Sequence, residues 1–447
     1  MLREQNICQK CGSLRIGNSL RCSSCNNLIS VTPIHGPSKS DITLTSMWSL
    51  RDFLPDYTNP VSLHEGNTPI LKVKNLNNLL GLGLKLEFRN PTGSFRDRAS
   101  SLIISDAVKK KSSQVIGAST GSFSISLSAY AAKAGIKSLN VIPQNLELSK
   151  IEQMKVYGSK VIELSDSVEE SIAEAQRLSN EANTYLATPE NNILAIEGQK
   201  TLGLEIALQK EFFDALIIPR GSGSLIYSIY RGLEDALASG WIEELPRIYA
   251  ISLEKTKSAY MAESLEIEQP FLLEEVRETI KFSKGKEIEI DAQQMIEEAL
   301  NLSKREGLFI EPASASVLAA ADELVKEEEI NPEHSVAILS GSGFNALNIY
   351  ATHLRDKRKV VWGLSESSTT KFEILNLISE GKSTYGISIW ESLGRAKSKQ
   401  SIYQHLNELQ KKGLIVLSEK DTKIKAFKVT KKGFETIEKM RNLIDFL

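Results

Sequence analysis

Short apolar runs alternate with amphipathic windows between about residues 70 and 355. The runs are four or five residues long and rich in β-branched side chains, and they lie at 115–118, 139–142, 160–164, 215–219, 248–252 and 336–339. Windows with helical spacing of apolar residues, such as 168–182 and 197–209, separate them. This alternation predicts an α/β fold in which helices cover both faces of parallel sheets. Ligands of such sheets bind in loops at the carboxyl ends of the strands.

The C-terminal part of the chain follows a different pattern, with three amphipathic segments that each end before a glycine. These predicted helices lie at 371–378, 385–393 and 401–409. Ser398 is the predicted N-cap of the third helix. Two alternating runs, 414–417 and 426–429, predict a two-stranded ribbon, and a last helix is predicted from about Lys432. Because the segment just before these helices is rich in Ser and Thr, we interpret 356–369 as a linker and place a separate domain at 370–447.

Length and charge narrow the classes of function. A chain of 447 residues is expected to form two to four domains. Its formal charge of −2 argues against a protein that binds polyanions along its whole surface. The chain has no apolar run long enough to span a membrane, and its N-terminus lacks the apolar core of a signal peptide. We therefore expect a cytoplasmic protein without membrane partners.

All four cysteines lie before residue 26, in two C-x-x-C pairs that ten residues separate. This spacing is typical of a zinc ribbon, in which four thiolates close a tetrahedral shell around a structural zinc ion. The predicted ligands, within a ribbon at 1–30, are Cys8, Cys11, Cys22 and Cys25. The alternative is four unrelated reduced thiols. Residues 31–60 are rich in Pro, Ser and Thr, and we interpret them as an extended connector packed on the core.

The stretch from Lys85 to Arg98 organises the rest of the chain. A strand-like run, 82–88, leads into a turn built on Asn90-Pro91 and Gly93, and a predicted helix at 99–108 follows. Ser94 is placed to cap that helix, whose free N–H groups would face an anion held at the turn. By itself this junction could serve packing alone.

Residues 91–98 resemble the lysine-bearing loop of the threonine synthases and their relatives among the fold-type II pyridoxal-phosphate (PLP) enzymes. The motif of that family is Pro-Thr-Gly-Ser-Phe-Lys-Asp-Arg, and Arg96 stands at its lysine position. The family chemistry needs an amine that loses its proton and bonds to the cofactor aldehyde. A guanidinium stays protonated, but it can hold a phosphate or carboxylate with two parallel hydrogen bonds. The resemblance covers about residues 1–355 and implies a core of two α/β lobes at 61–355.

Three further loops resemble ligand-binding loops of the same family. The first is similar to a Ser-Thr-Gly-Asn loop, with Ser122 in place of the asparagine that contacts the cofactor ring. The second loop, residues 221–224, resembles the glycine-rich cup that holds a phosphate in this family. In the third loop, residues 339–345, Ser340 stands where the family places a hydroxyl that contacts the pyridine nitrogen. The resemblance and the helix-start geometry together predict these ligand-binding residues: Arg96, Ser119, Thr120, Gly121, Ser122, Gly221, Ser222, Gly223, Ser224, Leu225 and Ser340.

The C-terminal domain resembles winged helix-turn-helix proteins of the archaeal and PadR-like kinds. From Arg395 to Lys432 eleven Lys and Arg residues stand against three acidic ones, a local excess of +8 in a chain of net charge −2. Such an excess indicates contacts with nucleic-acid phosphates, although a winged helix can instead serve dimerisation. The predicted DNA-binding residues are Lys397, Lys399, Ser401, Tyr403, Gln404, Asn407, Lys411 and Lys412.

The main hypothesis is a ligand-sensing DNA-binding regulator, which we expect to form a homodimer because such DNA readers usually pair to match half-sites. Its former enzyme core would hold a small anionic ligand such as an amino acid, a phosphoester or non-covalent PLP. The alternative is an active PLP-dependent threonine synthase acting on phosphohomoserine, or a related lyase. That alternative needs another lysine at the cofactor, yet none adjoins Arg96, and Lys85 matches a strand position. A third option is a partner that modulates an active paralogue.

Overall fold

A computed structural model divides the chain into two compact units, Met1–Ala346 and Leu347–Leu447. We call them unit one and unit two. The division precedes the predicted core end at residue 355, because the helix Leu347–Val361 belongs to unit two. The structure describes residues 8, 10–13, 17–28, 33–119, 121–144, 146–164, 167–180, 183–210, 213–254, 262, 265, 267, 270–361, 366–395, 397–418 and 426–446.

Unit one is built from alternating strands and helices. Its described helices are α1 (Arg96–Lys109), α2 (Ser122–Ala134), α3 (Leu148–Val156), α4 (Val168–Leu178), α5 (Ile193–Gln199), α6 (Thr201–Gln209), α7 (Ser224–Ala238), α8 (Leu273–Phe282), α9 (Ala292–Glu306) and α10 (Pro312–Lys326). Its described strands are β1 (Ile70–Lys72), β2 (Gly83–Lys85), β3 (Gln114–Ala118), β4 (Lys137–Ile142), β5 (Lys160–Glu163), β6 (Thr184–Leu186), β7 (Ala215–Pro219), β8 (Arg247–Leu253), β9 (Glu287–Ile290) and β10 (Ser335–Ile338).

The strands of unit one form two sheets, and each sheet has its own apolar core. The smaller sheet has the order β5-β4-β3-β6, and all of its pairs are parallel. The larger sheet has the order β1-β2-β10-β7-β8-β9, and only its edge pair β1–β2 is antiparallel. The predicted α/β class with parallel sheets is therefore confirmed. The two cores centre on buried aliphatic side chains such as Leu102 and Ile103 in the smaller lobe and Leu216 and Ile218 in the larger.

Several helices and strands begin or end at other residues than the sequence predicts. The strand-like run 82–88 becomes β2 followed by a single 3-10 turn, Glu87–Arg89, because the chain bends at Leu86 to bring Glu87 into the interior. Helix α1 begins at Arg96 rather than at residue 99, with Ser94 two residues before it. The window 197–209 contains two helices, α5 and α6, that meet at Lys200. The ammonium of Lys200 is buried there between the carboxylates of Glu197 and Asp235.

The described part of the connector, from residue 33 onward, packs on both lobes. A 3-10 helix, Met47–Phe53, buries Met47, Leu50 and Phe53 completely or nearly so. The ring of Phe53 meets the ring of Trp241 edge to face, with 5.0 Å between centroids. These aromatic and aliphatic contacts explain why the segment lies against the core although it contains little regular structure.

Unit two contains three central helices, a ribbon and flanking helices. Its described elements are α11 (Leu347–Val361), α12 (Glu366–Ser379), α13 (Gly386–Ser392), α14 (Lys399–Lys411), β11 (Ile415–Leu417), β12 (Phe427–Val429) and α15 (Lys431–Phe446). Strands β11 and β12 pair antiparallel, and Tyr385 forms an isolated bridge to Ala426. Much of the predicted linker 356–369 is helical, since α11 continues to Val361 and α12 begins at Glu366.

The apolar positions of α12, α13 and α14 explain the packing of unit two. Ile374, Ile389, Ile402 and Leu406 are buried in one cluster with residues of the ribbon. Ser398 caps α14 as predicted, and its hydroxyl accepts a hydrogen bond from the backbone N–H of Ser401 at 3.2 Å. Among the residues that the structure describes, no helix in either unit has the length and apolarity needed to cross a bilayer.

Candidate functional site

The turn before α1 is fixed by contacts on both of its sides. Gly93 has φ +78°, a conformation that glycine adopts without strain, and its N–H donates to Asn90 O at 2.8 Å. Its carbonyl accepts from the N–H of Ser342 at 2.9 Å, and Phe95 N–H donates to Ser340 O at 3.2 Å. The turn is thereby held against the loop that follows β10, and the first residue of α1 faces the carboxyl end of the larger sheet.

That first residue is Arg96, whose side chain lies beside the glycine-rich loop, residues 221–224. Its Nη1 donates to Ser224 Oγ at 3.3 Å, and its guanidinium stacks on the Phe95 ring, 4.6 Å from the centroid. Arg96 and Ser224, a residue of the predicted phosphate cup, are therefore in direct contact. The predicted association of Arg96 with this cup is present in the structure.

The cup itself is the start of α7. Gly223 is the N-cap residue with φ +91°, and a β-carbon added there would lie 2.9 Å from Val276 Cγ2. Ser222 Oγ donates to Ser224 Oγ at 3.2 Å, so two hydroxyls stand beside the free N–H groups of the helix. Free N–H groups and the positive end of the helix dipole favour an anion at this place.

The predicted loop after β3 approaches the same cavity from the smaller lobe. Ser119 Oγ accepts hydrogen bonds from the N–H groups of Gly121 and Ser124, both at 3.1 Å, which closes the loop tightly. Thr120, predicted as a ligand residue, lies outside the described residues. Gly121 has φ +125°, a conformation that favours glycine, and a β-carbon there would lie 2.6 Å from Cδ of the buried Lys150 in α3.

Most of the predicted ligand residues line one cavity of about 60 Å³. Its lining, as far as the structure describes it, is Ser94, Phe95, Arg96, Ser119, Ser122, Phe123, Pro219, Gly221, Ser222, Gly223, Ser224, Leu225, Leu265, Ile267, Glu311 and Ser340. Since a water molecule needs roughly 10–15 Å³ on this scale, the space suits a small anion or a few waters. Ser340 is buried there, with its hydroxyl 3.3 Å from that of Ser314.

The electrostatics of the cavity centre on Arg96. Burial lowers the pKa of its guanidinium, and the carboxyl groups of Glu190 and Glu311 oppose that shift. Burial also raises the pKa of Glu190, and the charge of Arg96 acts against it. The sequence patterns did not single out Glu190, because one glutamate after a Pro carries no periodic or motif signal. Glu311 is likewise absent from the predicted ligand-binding residues.

Comparisons with known proteins identify the architecture. The family model described as "Pyridoxal-phosphate dependent enzyme" matches residues 61–341. The chain belongs to this family. It is 30% identical to the threonine synthase of Methanocaldococcus jannaschii over 372 residues, which cover 75% of this chain and 91% of that relative. The threonine synthase of Bacillus sp. strain ULM1 is 31% identical over 309 residues, covering 65% of this chain and 87% of that one.

Solved structures agree with this threonine synthase-like fold. Maize serine racemase superposes with a TM-score of 0.55 at 22% identity, covering 66% of this chain and 93% of that one. O-ureido-L-serine synthase gives a TM-score of 0.55 at 18% identity, covering 64% of this chain and 93% of that one. At these identities the likeness concerns the fold alone. It identifies unit one as a fold-type II core.

PLP is the cofactor of this family, and the residues of the cavity fit only part of it. The cup at Gly223 and Ser224 suits a phosphate. The lining residues that the structure describes include no lysine, and Arg96 occupies the space beside the cup. Lys85 is no substitute, because its ammonium is buried on β2 and donates to Glu205, Gln209 and Thr68 O. The part of this site that the structure describes therefore provides no amine for covalent attachment of the cofactor.

The four cysteines converge at the N-terminus. Their Sγ atoms all lie within 4.8 Å of one another, and Cys8–Cys25 and Cys11–Cys22 are each 3.6 Å apart. The two 3.6 Å separations are close to the ~3.8 Å edge of a tetrahedron around an ion with ~2.3 Å metal–sulfur bonds. Cys8 and Cys22 are buried, and Cys11 is exposed. The predicted metal ligands are thus brought together by two tight turns.

Helix α14 of unit two carries most of the predicted DNA-binding residues. Tyr403, Gln404, Asn407 and Lys411 are exposed on the helix, opposite its buried apolar positions, and Lys412 is exposed just after it. The ring of Tyr403 also packs on the start of α13, since a β-carbon on Gly386 would lie 2.7 Å from it. Ser401 is half-buried at the N-terminal turn of α14.

Trp390 stabilises the turn between α13 and α14. Its indole Nε1 donates to Lys397 O at 2.6 Å, and the ammonium of Lys399 lies 4.7 Å from the ring centroid. The guanidinium of Arg395 stacks at 5.1 Å. Lys399, predicted to reach DNA, therefore has an aromatic partner that fixes its position. The spacing of Trp390 did not reveal this role, because an aromatic residue in a short helix usually indicates packing.

Proposed function

We propose that this threonine synthase-like protein is a catalytically impaired, ligand-sensing regulator that binds DNA through unit two. The observation that carries the proposal is the position of Arg96. At the position that the resemblance assigns to the family's reactive lysine stands a guanidinium, and it donates a hydrogen bond to Ser224 in the predicted anion cup. Such a group recognises an anion by bidentate hydrogen bonding but does not act as an amine nucleophile.

Unit two supports the DNA-binding half of the proposal. Its three helices, antiparallel ribbon and final helix follow the order of a winged helix-turn-helix, and α14 presents polar and cationic side chains on its exposed face. In such domains the corresponding helix enters the major groove while neighbouring cations contact phosphates. A structural zinc ion held by Cys8, Cys11, Cys22 and Cys25 is part of the proposal, as is a homodimer that matches two half-sites.

Spectroscopy of the purified full chain tests the loss of covalent cofactor binding. We expect no visible absorption band after addition of PLP and dialysis, and no turnover of phosphohomoserine. The matched variant Arg96→Lys restores an amine at the start of α1, and we expect it to gain such a band. A band in the unmodified protein, with mass spectrometry locating PLP on any residue, would refute the proposal.

Gel-shift titrations test DNA binding. The full chain should bind DNA from upstream of its own coding region more tightly than an unrelated duplex of equal length. Its affinity should fall steeply as salt rises, because cation–phosphate contacts release counterions. Equal and salt-independent binding to both duplexes, or no binding to either, would contradict a regulatory role for unit two.

A further inference from the structure

Four exposed polar side chains form one stripe along α14. They belong to Gln400, Gln404, Asn407 and Lys411. Because each residue of an α-helix is turned by about 100° from the one before it, these four lie within about 60° of one another around the helix axis. The buried residues of the helix lie on its opposite side, and they are Ile402, Leu406 and Leu409. The stripe is therefore the line of α14 that faces directly away from the core of unit two.

The start and the middle of this stripe carry carboxamide side chains, and α14 contains no arginine. In the major groove Asn and Gln bind adenine through N6 and N7, whereas guanine is usually read by Arg or Lys. The lysine of the stripe, Lys411, lies in the last turn of α14, but base contacts of such helices come mainly from their N-terminal residues. The groups that the stripe presents to base edges therefore suit adenine.

The acidic side chain of α14 already has a cationic partner. Glu408 pairs with the ammonium of Lys371 on α12, so its carboxylate is engaged and does not accept from the N4 amino group of a cytosine. The second oxygen of Glu408 accepts a hydrogen bond from Gln404 Nε2 at 3.4 Å. An amide nitrogen carries two N–H groups, so Gln404 keeps one N–H and its oxygen for a base. Lys371 and Glu408 thereby orient the Gln404 amide.

The cations at the N-terminal end of α14 lie off the stripe. Lys399 is turned by about 100° from Gln400 around the helix axis, and its ammonium lies over the Trp390 ring. Arg395 precedes the helix and stacks on the same ring. Both charges are therefore held beside the stripe, where they suit the phosphates that border a groove rather than the base edges within it.

We propose that unit two recognises adenines in the major groove of duplex DNA, with Gln404 and Asn407 each binding N6 and N7 of one adenine. The inference rests on the proposed DNA-binding function and names the bases that are read. An α-helix rises ~1.5 Å per residue and stacked bases repeat every ~3.4 Å, so the two amides reach bases within about four consecutive base pairs. The local charge excess of +8 between Arg395 and Lys432 complements the phosphates on both sides of such a half-site.

Selection from a library of duplexes with a randomised central segment tests the proposal on the full chain. We expect enrichment of adenine at two positions within about four base pairs. At those positions 7-deazaadenine keeps the base pair and N6 but removes the N7 acceptor, so affinity should fall at least about fivefold. The matched change of a guanine in the same duplex to 7-deazaguanine should alter affinity by less than about twofold. Selected sites without adenine, or affinity that 7-deazaadenine leaves unchanged, would overturn the proposal.

Variants assign each adenine to its side chain. Gln404→Arg should change the preferred base at one position from adenine to guanine, because a guanidinium matches O6 and N7 of guanine. Asn407→Ala should remove the preference at the other position and weaken binding of the selected duplex about tenfold. Gln410→Ala changes another exposed amide of α14, about 90° from the middle of the stripe, and should keep both preferences. Thermal melting verifies folding, and adenine preferences that survive in folded Gln404→Arg and Asn407→Ala would overturn the proposal.

The selection also separates this inference from the proposed function. If the full chain enriches particular duplexes and binds them in a salt-dependent manner, but the enriched positions are G·C pairs, DNA binding stands and the adenine assignment fails. If no duplex is enriched and none is bound, the proposed DNA-binding function itself fails.

Discussion

Arg98 and Glu205 form a completely buried ion pair in unit one, with Arg98 Nη1 2.7 Å from Glu205 Oε1. Arg98 also donates two hydrogen bonds of 2.8 Å to Glu87, and Lys85 Nζ lies 2.8 Å from Glu205 Oε2. The two cations and two carboxylates of this network balance each other's charge, and all four side chains are shielded from solvent. Because Arg98 lies two residues after Arg96, this network holds the helix start that presents the Arg96 guanidinium to the cavity.

We predict that Glu205→Gln lowers the free energy of unfolding by about 3–5 kcal/mol, because it leaves Lys85 and Arg98 buried without sufficient counter-charge. Urea denaturation of the full chain, monitored by circular dichroism, measures the change. Glu327→Gln removes one partner of the exposed Lys286–Glu327 pair and should change the unfolding free energy by less than about 1 kcal/mol. Equal effects of the two substitutions would contradict a buried, electrostatically closed network.

Asp97 is predicted to make the stability of unit one depend on pH. It is fully buried and accepts hydrogen bonds from Thr92 N–H, Thr92 Oγ1 and Ser126 Oγ, yet burial raises the pKa of its carboxyl group from 3.8 to about 7. Between these values the folded protein holds a proton that the unfolded chain has released. The contribution of Asp97 to stability is therefore fully present below about pH 4 and is lost as the pH rises through 7.

Asp97→Asn tests this dependence. A carboxyl group with a pKa about three units above its unfolded value changes the unfolding free energy by up to ~4 kcal/mol across that range. We expect the variant to show a flatter decline of stability between pH 5 and pH 8 than the unmodified protein. Asp52→Asn, at an exposed position, should leave the decline unchanged. An unaltered slope in Asp97→Asn would show that the group does not titrate in this range.

Two polar side chains of the cysteine-bearing segment contact the α/β lobes of unit one. Asn18 Nδ2 donates to Asp106 Oδ2 at 2.6 Å on α1, and Arg21 Nη2 donates to Phe271 O at 2.6 Å beside α8. We predict one zinc ion per chain and a lower melting temperature after chelation or in Cys22→Ser, because metal binding and local folding are coupled. Ser23→Ala, an exposed change in the same turn, should melt like the unmodified protein. Metal-free protein with an unchanged melting temperature would contradict the zinc assignment.

The sequence predicts those parts of this molecule that depend on periodicity or fixed spacing. Strand β7 was predicted with its observed bounds, and Ser398 was predicted as the cap of α14. The convergence of Arg96 with Ser224 followed from the resemblance, since both positions belong to quoted motifs. What depends on contacts between distant residues could not be predicted. Glu190 approaches the cavity only because β6 pairs with β3, and Lys150 reaches Gly121 only because α3 packs beside that loop.

The predicted strand-like run 82–88 extends too far for the same physical reason, a contact between residues distant in sequence. The apolar run 82–88 contains Lys85 and Glu87, and the side chains of both residues are buried in the ion network. Tertiary charge pairing therefore ends β2 at Lys85. A local pattern of apolar and polar residues does not contain the partners Arg98 and Glu205 that make this burial favourable.

The exposed end of α14 provides the sharpest test of the DNA-binding face. Lys411 and Lys412 are exposed there, and reversing both charges should weaken DNA binding at every sequence because phosphate contacts are lost. If both contact phosphates, the slope of log K against log salt should become shallower by about 1.8. Lys382→Glu with Lys439→Glu makes the same change in net charge at exposed positions of α15 and the α12–α13 loop. Its salt slope should match that of the unmodified protein, and equal slopes for both double variants would show that α14 does not face the DNA.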